Sequence, residues 1–465
     1  MDDQQPSEKP PGSRVLPLVA AALATAYIIA WLFGLGSGDD RFNPFLQPFF
    51  VVLRLTRTVL WPLLISGVLF LAAAAVGSFL LELLHLRPDA PVDRLLFAGG
   101  LGLGVVSYAT LGLGSVGLLE GGVFWALAAT LILLGAKNLA NTARKAAQAL
   151  RDWLPSWGTL EWSLLGAGAA LLLLGLLCAG TPVLDYDTLE YHLGAPGEYF
   201  TAGRIEFLRH NVYATFPAHV EMLYLAAIVL AGGKTAGAAA GILIQLLFGL
   251  AAAIATGRLA ARSFKNRAAL PAAVFFLSCP ALIGTVLRVH ITLARCFYLA
   301  LALLAVLQWV RLPKPRRHRW LVLGGLSCGL AVAVKYTALL FVCLPIGLVV
   351  STVSLHRGNT ARRKLVPVII LTVCAALAVM PWFARNVAHT GNPVFPLLYK
   401  HFGGRGWPAH QAAKFDQAHA TPALPFVPGS GEMNAQTAPS LNDWAGDLGR
   451  DVWKFVTGHA APGEM

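Results

Sequence analysis

Long apolar stretches alternate with short polar segments along most of this chain. A helix needs about 20 apolar residues to cross a hydrocarbon core of roughly 30 Å, so the pattern predicts an all-α, polytopic transmembrane helix bundle with about 11 spans. The predicted spans are 15–36, 59–83, 95–117, 122–136, 161–181, 236–257, 268–287, 291–310, 320–334, 337–353 and 366–383.

One further apolar run, 216–232, differs from the predicted spans. It is short, and it opens with Pro217, His219 and Glu221. We therefore predict that it forms a juxtamembrane helix at the outer membrane surface and does not cross.

The positions of lysine and arginine predict the orientation. Basic residues concentrate in the loops 85–94, 137–152, 258–267, 311–319 and 354–364. With a cytoplasmic N-terminus and no crossing by the short run, all five loops face the cytoplasm, as the positive-inside rule requires. The acid-rich loop then lies on the outer face, and we expect a multi-pass protein of the bacterial inner (plasma) membrane.

Composition and charge agree with this architecture. Hydrophobic residues make up 56% of the chain and charged residues 13%, which excludes an ordinary soluble domain. The net charge of +13 is spread over loops. A nucleic-acid footprint would cluster on one face, so membrane lipids are the expected partners and nucleic acid is not.

The same pattern predicts the domain organisation. A cytoplasmic N-terminal segment covers 1–14, and about four transmembrane helices occupy 15–152. A transmembrane core of 160–383 includes the outer loop 182–235, and residues 384–465 form an outer-face polar tail.

Acidic side chains point to one candidate site. No Asp or Glu occurs from Met222 to Phe415, although six predicted spans fall there. The outer loop carries the densest group of acids, namely Asp185, Asp187, Glu190, Glu198, Glu206 and Glu221. On a helix Asp187, Glu190 and Tyr191 would be neighbours. Asp187 and Glu190 also have the spacing of a helix capping box, and the two roles stay open.

Several motifs of this loop carry a family resemblance. The run Asp185-Tyr-Asp-Thr-Leu-Glu-Tyr-His192 continues to Phe216-Pro217 and Glu221-Met-Leu-Tyr224. Lys335-Tyr-Thr337 and the stretch from Trp382 to Pro396 follow in order. Together they resemble bacterial multi-pass glycosyltransferases of the GT-C superfamily, relatives of protein O-mannosyltransferases and aminoarabinose transferases.

The resemblance implies a reaction and roles for particular residues. Such enzymes move a sugar from a polyprenyl-phosphate donor to a lipid, glycan or protein acceptor at the outer face, usually with inversion. Asp187 occupies the position of the acid that acts as base or metal ligand; a divalent metal on it with Glu190 or His192 is compatible with the family, and no other cofactor is expected. The catalytic candidates are Asp187, Asp185, Glu190 and His192, and the substrate-binding candidates are Tyr191, Arg204, Glu221, Arg288, His290, Lys335 and Arg385.

Two alternatives remain open. Thr292 stands where relatives often carry an acid, and the chain continues after Gly404 as a polar tail where relatives continue into further spans; both fit a truncated, inactive relative. A transporter or lipid flippase is the other alternative, although the acid-free run counts against it because ion-coupled carriers use intramembrane acids. For each cation, anchoring of a helix end competes with phosphate binding.

Overall fold

The computed structural model describes residues 56–177, 183, 185–311, 317–357 and 360–419. Within these residues the chain is helical and contains no strand. The predicted segments 1–14 and 15–36, and the tail beyond His419, lie outside the described residues. The α-helices, which we number α1 to α15, are Trp61–Leu83, Pro91–Ser115, Gly121–Trp153, Thr159–Leu177, Gly194–Ala202, His219–Ala231, Lys234–Ser263, Ala269–Leu277, Pro280–Leu287, Thr292–Arg311, Arg317–Val334, Leu344–Arg357, Ala361–Thr390, Tyr399–Phe402 and Ala409–His419.

In the described part of the chain, eight helical stretches are long and apolar enough to cross a membrane. They coincide with eight of the predicted spans, so the coarse architecture, a multi-pass helical membrane protein, is confirmed. The stretches are Thr56–Leu83, Pro91–Ser115, Gly121–Ser156, Thr159–Leu176, Lys234–Ser263, Thr292–Arg311, Leu339–Arg357 and Ala361–Thr390.

The three other predicted spans have different outcomes. The first, 15–36, lies outside the described residues. The span predicted at 268–287 is a pair of helical segments, Asn266–Leu277 and Pro280–Val286, bent by 57°. Proline at position 280 begins the second segment because its ring is tolerated only in the first helical turn. The span predicted at 320–334 is a shorter apolar helix, His318–Val334.

Small residues allow α1, α2 and α3 to pack closely. A Cβ atom at Gly77 of α1 would lie 1.8 Å from the carbonyl oxygen of Ala98, and one at Gly102 of α2 would lie 1.7 Å from that of Ala73. Gly135 of α3 meets α1 in the same way. Apolar helices in a bilayer associate through such close backbone contact, because lipid supplies little hydrophobic driving force between them.

The basic loops gather at one end of the bundle. Asp93, at the start of α2, accepts hydrogen bonds from Arg258 at 2.6 Å and from the Nε atom of Arg262 at 3.1 Å, both near the end of α7. Arg311 donates to the carbonyl of Arg262, and Arg357 donates to that of Val310 at 2.7 Å. Four of the loops predicted to share one side of the membrane are therefore in contact through these residues.

The acid-rich segment lies at the opposite ends of the same helices. The amide of Ile205 donates to the carbonyl of Gly114 at the end of α2, at 2.8 Å. Trp61, at the start of α1, donates through Nε1 to the carbonyl of Ala231 at 3.4 Å. This end of the bundle carries the candidate site.

Helix α6 is the short run that we predict not to cross. It has 13 residues, a length of about 20 Å, which is less than the hydrocarbon thickness. Each residue from His219 to Leu230 is buried by neighbouring helices. The helix is enclosed by protein, whereas an interfacial helix exposes one polar face.

Two compact units divide the chain, Met1–Leu398 and Tyr399–Met465. The predicted boundary at residue 384 falls within α13, which continues to Thr390 and ends at Gly391 in the left-handed conformation. In the second unit, the described residues form α14 and α15.

Candidate functional site

A π-helical turn, Thr188–His192, organises the acid-rich segment. Asp185 caps this turn: its Oδ2 atom accepts from the amide of Thr188 at 3.2 Å and from the hydroxyl of the same residue at 3.1 Å. The Asp185 carbonyl accepts from the Leu189 amide at 3.0 Å. Helix α5 follows and ends at Gly203 in the left-handed conformation.

Asp187 has a different environment from Asp185. Its side chain makes no capping hydrogen bond, so of the two roles left open for Asp187 and Glu190 the capping box does not form. Its Oδ2 atom accepts from the hydroxyl of Tyr191 at 3.3 Å. Burial, with the charges of Asp187 and Glu221, raises the pKa of Tyr191, so that phenol stays protonated and donates.

His192 and Glu221 form a buried pair below the turn. The Nδ1 atom of His192 lies 2.6 Å from Oε1 of Glu221, and both side chains are almost wholly shielded. The second oxygen, Oε2, has no hydrogen-bond partner within the described residues. Since a buried carboxylate oxygen without a donor is costly, this pair is incompletely satisfied.

His290 joins the group from the connection before α10. Its Nε2 atom lies 3.1 Å from Oδ2 of Asp185, and its ring centroid lies 5.6 Å from that of His192. Burial lowers the pKa of His290, and the proximity of His192 lowers it further. The two effects outweigh the carboxylate of Asp185, which raises that pKa. Burial also raises the pKa of Asp185, but the hydrogen bonds from Thr188 and the proximity of His290 outweigh burial and hold it below its usual value.

Cationic side chains lie in this connection, in the first turns of α10 and in the turn after α11. The carbonyl of Arg288 accepts a hydrogen bond from the Thr188 hydroxyl, and the Arg288 side chain is exposed. Seven residues later, Arg295 donates through Nη1 to the hydroxyl of Thr337 at 2.9 Å. Lys335 lies in that same turn and is half-buried. The segment 288–295, which includes the start of α10, thus links the π-helical turn to the turn that follows α11.

Arg385 approaches from the end of α13. Its Nη2 atom donates to the hydroxyl of Tyr199 at 3.1 Å and to the carbonyl of Ala214 at 3.0 Å. Its Nε and Nη1 atoms are buried and have no hydrogen-bond partner in the described part of the chain. The next residue, Asn386, donates to the hydroxyl of Tyr336 at 3.1 Å.

A row of aromatic rings connects the acidic turn with the turn of Lys335. The ring centroids of Tyr191 and Tyr213 are 5.5 Å apart, those of Tyr213 and Phe216 are 5.8 Å apart, and those of Phe216 and Tyr336 are 6.1 Å apart. Burial, with the nearby Tyr186 and Asp187, raises the pKa of Tyr213. Aromatic rings offer flat apolar faces with a polar tip, which suits binding of a sugar.

Not every predicted residue joins this group. Arg204 forms an exposed ion pair with Glu206 at 3.6 Å. The backbone carbonyl of Glu190 accepts from Asn211 at 2.8 Å, and no hydrogen bond or ion pair connects the Glu190 side chain to the described cluster. We call Asp185, Asp187, Tyr191, His192, Glu221 and His290 the acidic cluster.

Sequence reasoning left some contributing groups out of the site. Thr188 holds the acidic turn against the connection before α10, and Tyr298 contacts His219 at 2.9 Å. A threonine within a motif and a tyrosine within an apolar helix carry no distinguishing signal in a single sequence. In the described part of the chain, no group of three or more His, Cys, Asp or Glu side chains has a metal-binding arrangement.

Comparison with known families gives one match. Residues 242–430 match a family described as a domain of unknown function (DUF8201). No curated protein and no solved structure matches the chain significantly. The matched region contains Arg288, Arg295, Lys335 and Arg385, whereas Asp185, Asp187 and Glu221 precede it. The match covers less than half of the chain and assigns no activity.

Proposed function

We propose that this chain is a membrane glycosyltransferase that transfers a sugar from a polyprenyl-phosphate donor to an acceptor at the outer membrane face. The observation that carries the proposal is that Asp185 and Asp187 make different hydrogen bonds. Asp185 caps the turn through Thr188, whereas Asp187 makes no capping bond and contacts only the hydroxyl of Tyr191 among the described hydrogen bonds. A carboxylate without a structural partner can accept a proton.

The surrounding groups suit each part of the reaction. The acceptor hydroxyl oxygen attacks the anomeric carbon, and its proton passes to the carboxylate of Asp187. The bond between the anomeric carbon and the phosphate oxygen breaks, and the polyprenyl phosphate leaves with the electron pair. Arg288, Arg295 and Lys335 belong to segments that contact the acidic cluster or its neighbouring turn, and cations there would stabilise the charge that develops on the phosphate.

The buried pair would support this arrangement as positioning residues. Glu221 holds His192 through Nδ1, and the His192 ring lies 4.2 Å from that of Tyr191. Tyr191 in turn donates to Asp187. The chain of contacts fixes the orientation of the proposed base without placing Glu221 at the reacting atoms.

Substitution of Asp187 tests the reaction. Because a positioned base contributes roughly 10²–10⁴-fold to a rate, Asp187→Asn should lose transfer by at least the lower factor. Lipid-linked sugars and envelope glycans would be compared by mass spectrometry in cells with the wild-type chain, with the variant and without either. Glu198→Gln is the matched control, since Glu198 pairs with His210 on the surface of the same loop. Full activity of Asp187→Asn would overturn the proposed base.

Cysteine labelling tests the proposed sidedness. Arg209 is exposed in the acid-rich segment and Lys145 is exposed at the opposite end of the bundle. In a background without native cysteines, a membrane-impermeant maleimide added to intact cells should label Arg209→Cys and spare Lys145→Cys. The reverse pattern would contradict the outer-face location.

A further inference from the structure

A cavity of about 1000 Å³ lies where two candidate spans begin. Its walls come from the turn before α1, from α5, from the end of α6 and from the start of α7. Helices α1 and α7 both enter the bundle at the end that carries the acidic cluster. The cavity is therefore placed at the depth of a membrane boundary, where lipid headgroups meet the first turns of spans.

The lining combines cations with apolar surface. Arg57 and Lys234 contribute positive charge, and none of the described lining residues is acidic. No carboxylate pairs with either cation in the described part of the chain. Trp61, Ile228 and Ile242 supply apolar surface, and tryptophan at such a boundary is typical of the aromatic belts of membrane proteins.

Glycines form part of the cavity wall beside Lys234. Gly197 of α5 faces this side chain: a Cβ atom there would lie 3.6 Å from Cδ and 3.9 Å from Nζ. Lys234 thus lies against α5 and is exposed. Gly232, with φ of 71°, and Gly233 precede α7 and complete the wall.

The cavity is separate from the acidic cluster, although one turn borders both. Leu189 and Leu193 line the cavity. The neighbouring positions Thr188 and His192 point to Asp185 and Glu221 instead. None of the acidic-cluster residues lines the cavity, so its occupant would pack against the back of the turn without reaching the proposed reacting atoms.

We propose that this cavity binds a glycerophospholipid with an anionic headgroup, whose phosphate lies between Arg57 and Lys234 and whose acyl chains cover the apolar wall. Charge complementarity selects an anion, and the apolar lining selects a lipid over a free anion. Separation from the acidic cluster distinguishes this lipid from a substrate. The inference does not depend on the proposed transferase activity.

Lipid retention tests the proposal with the full chain. The protein would be reconstituted in vesicles of equal parts phosphatidylcholine and phosphatidylglycerol, with a small share of polyprenyl phosphate, then extracted and examined by native mass spectrometry. We expect one retained phosphatidylglycerol. Each Lys or Arg near a lipid surface contributes roughly fivefold to binding, so the double variant Arg57→Gln/Lys234→Gln should weaken retention by about 25-fold. Arg209→Gln, which removes an exposed cation away from the cavity, should leave retention unchanged.

A second variant tests the cavity with its charges intact. Ala239 lines the apolar part, so Ala239→Trp should fill that space and displace the lipid, while the melting temperature shows that the variant is folded. Equal retention of both phospholipids, preferential retention of polyprenyl phosphate, displacement by inorganic phosphate alone, or unchanged retention in the double variant would each overturn the assignment. If Ala239→Trp is unfolded, the double variant and the comparison of the two phospholipids still test whether the cavity binds an anionic lipid.

Discussion

Each end of the bundle buries a carboxylate, but the two carboxylates have different hydrogen-bond partners. At the basic end, Asp93 is 1% exposed and both of its oxygens accept from arginine side chains. At the acidic end, Glu221 is 4% exposed, pairs through one oxygen with His192 and leaves Oε2 without a partner among the described residues. The first arrangement is typical of a structural brace. The second retains unused hydrogen-bonding capacity, which is typical of functional sites.

The largest effect should come from breaking the brace. Asp93→Ala leaves Arg258 and Arg262 without their carboxylate, and removal of one partner from a buried ion pair costs about 3–5 kcal/mol. Thermal unfolding in detergent would measure the loss. A variant as stable as the wild-type chain would show that the two arginines find other partners and that the brace contributes little.

Acidification should weaken the acidic end through His219. This side chain is fully buried, and burial lowers its pKa to about 3. The unfolded chain binds a proton near the usual pKa of about 6.5, so stability rises with pH between these values and is lost on acidification. We expect a loss of about 2 kcal/mol between pH 7 and pH 4.5. The check is the difference between the wild-type chain and His219→Asn, which should depend less on pH. Parallel curves would contradict the buried neutral imidazole.

Neutralising the second buried acid should cost much less than neutralising the first. In Glu221→Gln the amide keeps a contact with His192, and no arginine or lysine is left without its carboxylate. We therefore expect the free energy of unfolding to change by at most about 1 kcal/mol. Activity should still fall if Glu221 positions the proposed base. Denaturant unfolding measured beside Asp93→Asn compares the ends directly, and equal losses would remove the distinction between them.

The smallest expected effect is the difference in stability loss between alanine variants of Asp185 and Asp187. Asp185→Ala removes a helix cap, which costs about 1 kcal/mol. Asp187→Ala removes no cap and should change stability by about 0.5 kcal/mol or less. If unfolding midpoints showed the larger loss for Asp187, the capping assignment would be reversed.

Hydrophobic patterning predicted the bundle well because length and apolarity alone decide whether a helix can span a bilayer. Eight predicted spans coincide with described helices. Patterning was less informative about ends: α13 continues past residue 383 to Thr390 because its last turns pack against protein. Loop charges placed the run at 216–232 on the outer membrane surface, whereas its helix α6 is buried by neighbouring helices.

The candidate site was less predictable. The sequence identified the acids and left a capping box at Asp187 and Glu190 as one of two open roles, whereas in the π-helical turn the cap is Asp185. The cap lies two residues earlier because of the backbone geometry of the turn, which residue spacing in a sequence does not reveal. The cavity at Arg57 and Lys234 was not predicted either, because its two cations are far apart in the chain.

The enclosed helix α6 has a consequence for how the protein is made. It packs on α1, α2, α3 and α5, which are synthesised before it, and on α7 and α11, which follow. A segment of 13 residues is too short to be released from a translocon as a stable crossing. The burial of α6 can therefore be completed only after α7 and α11 have been synthesised.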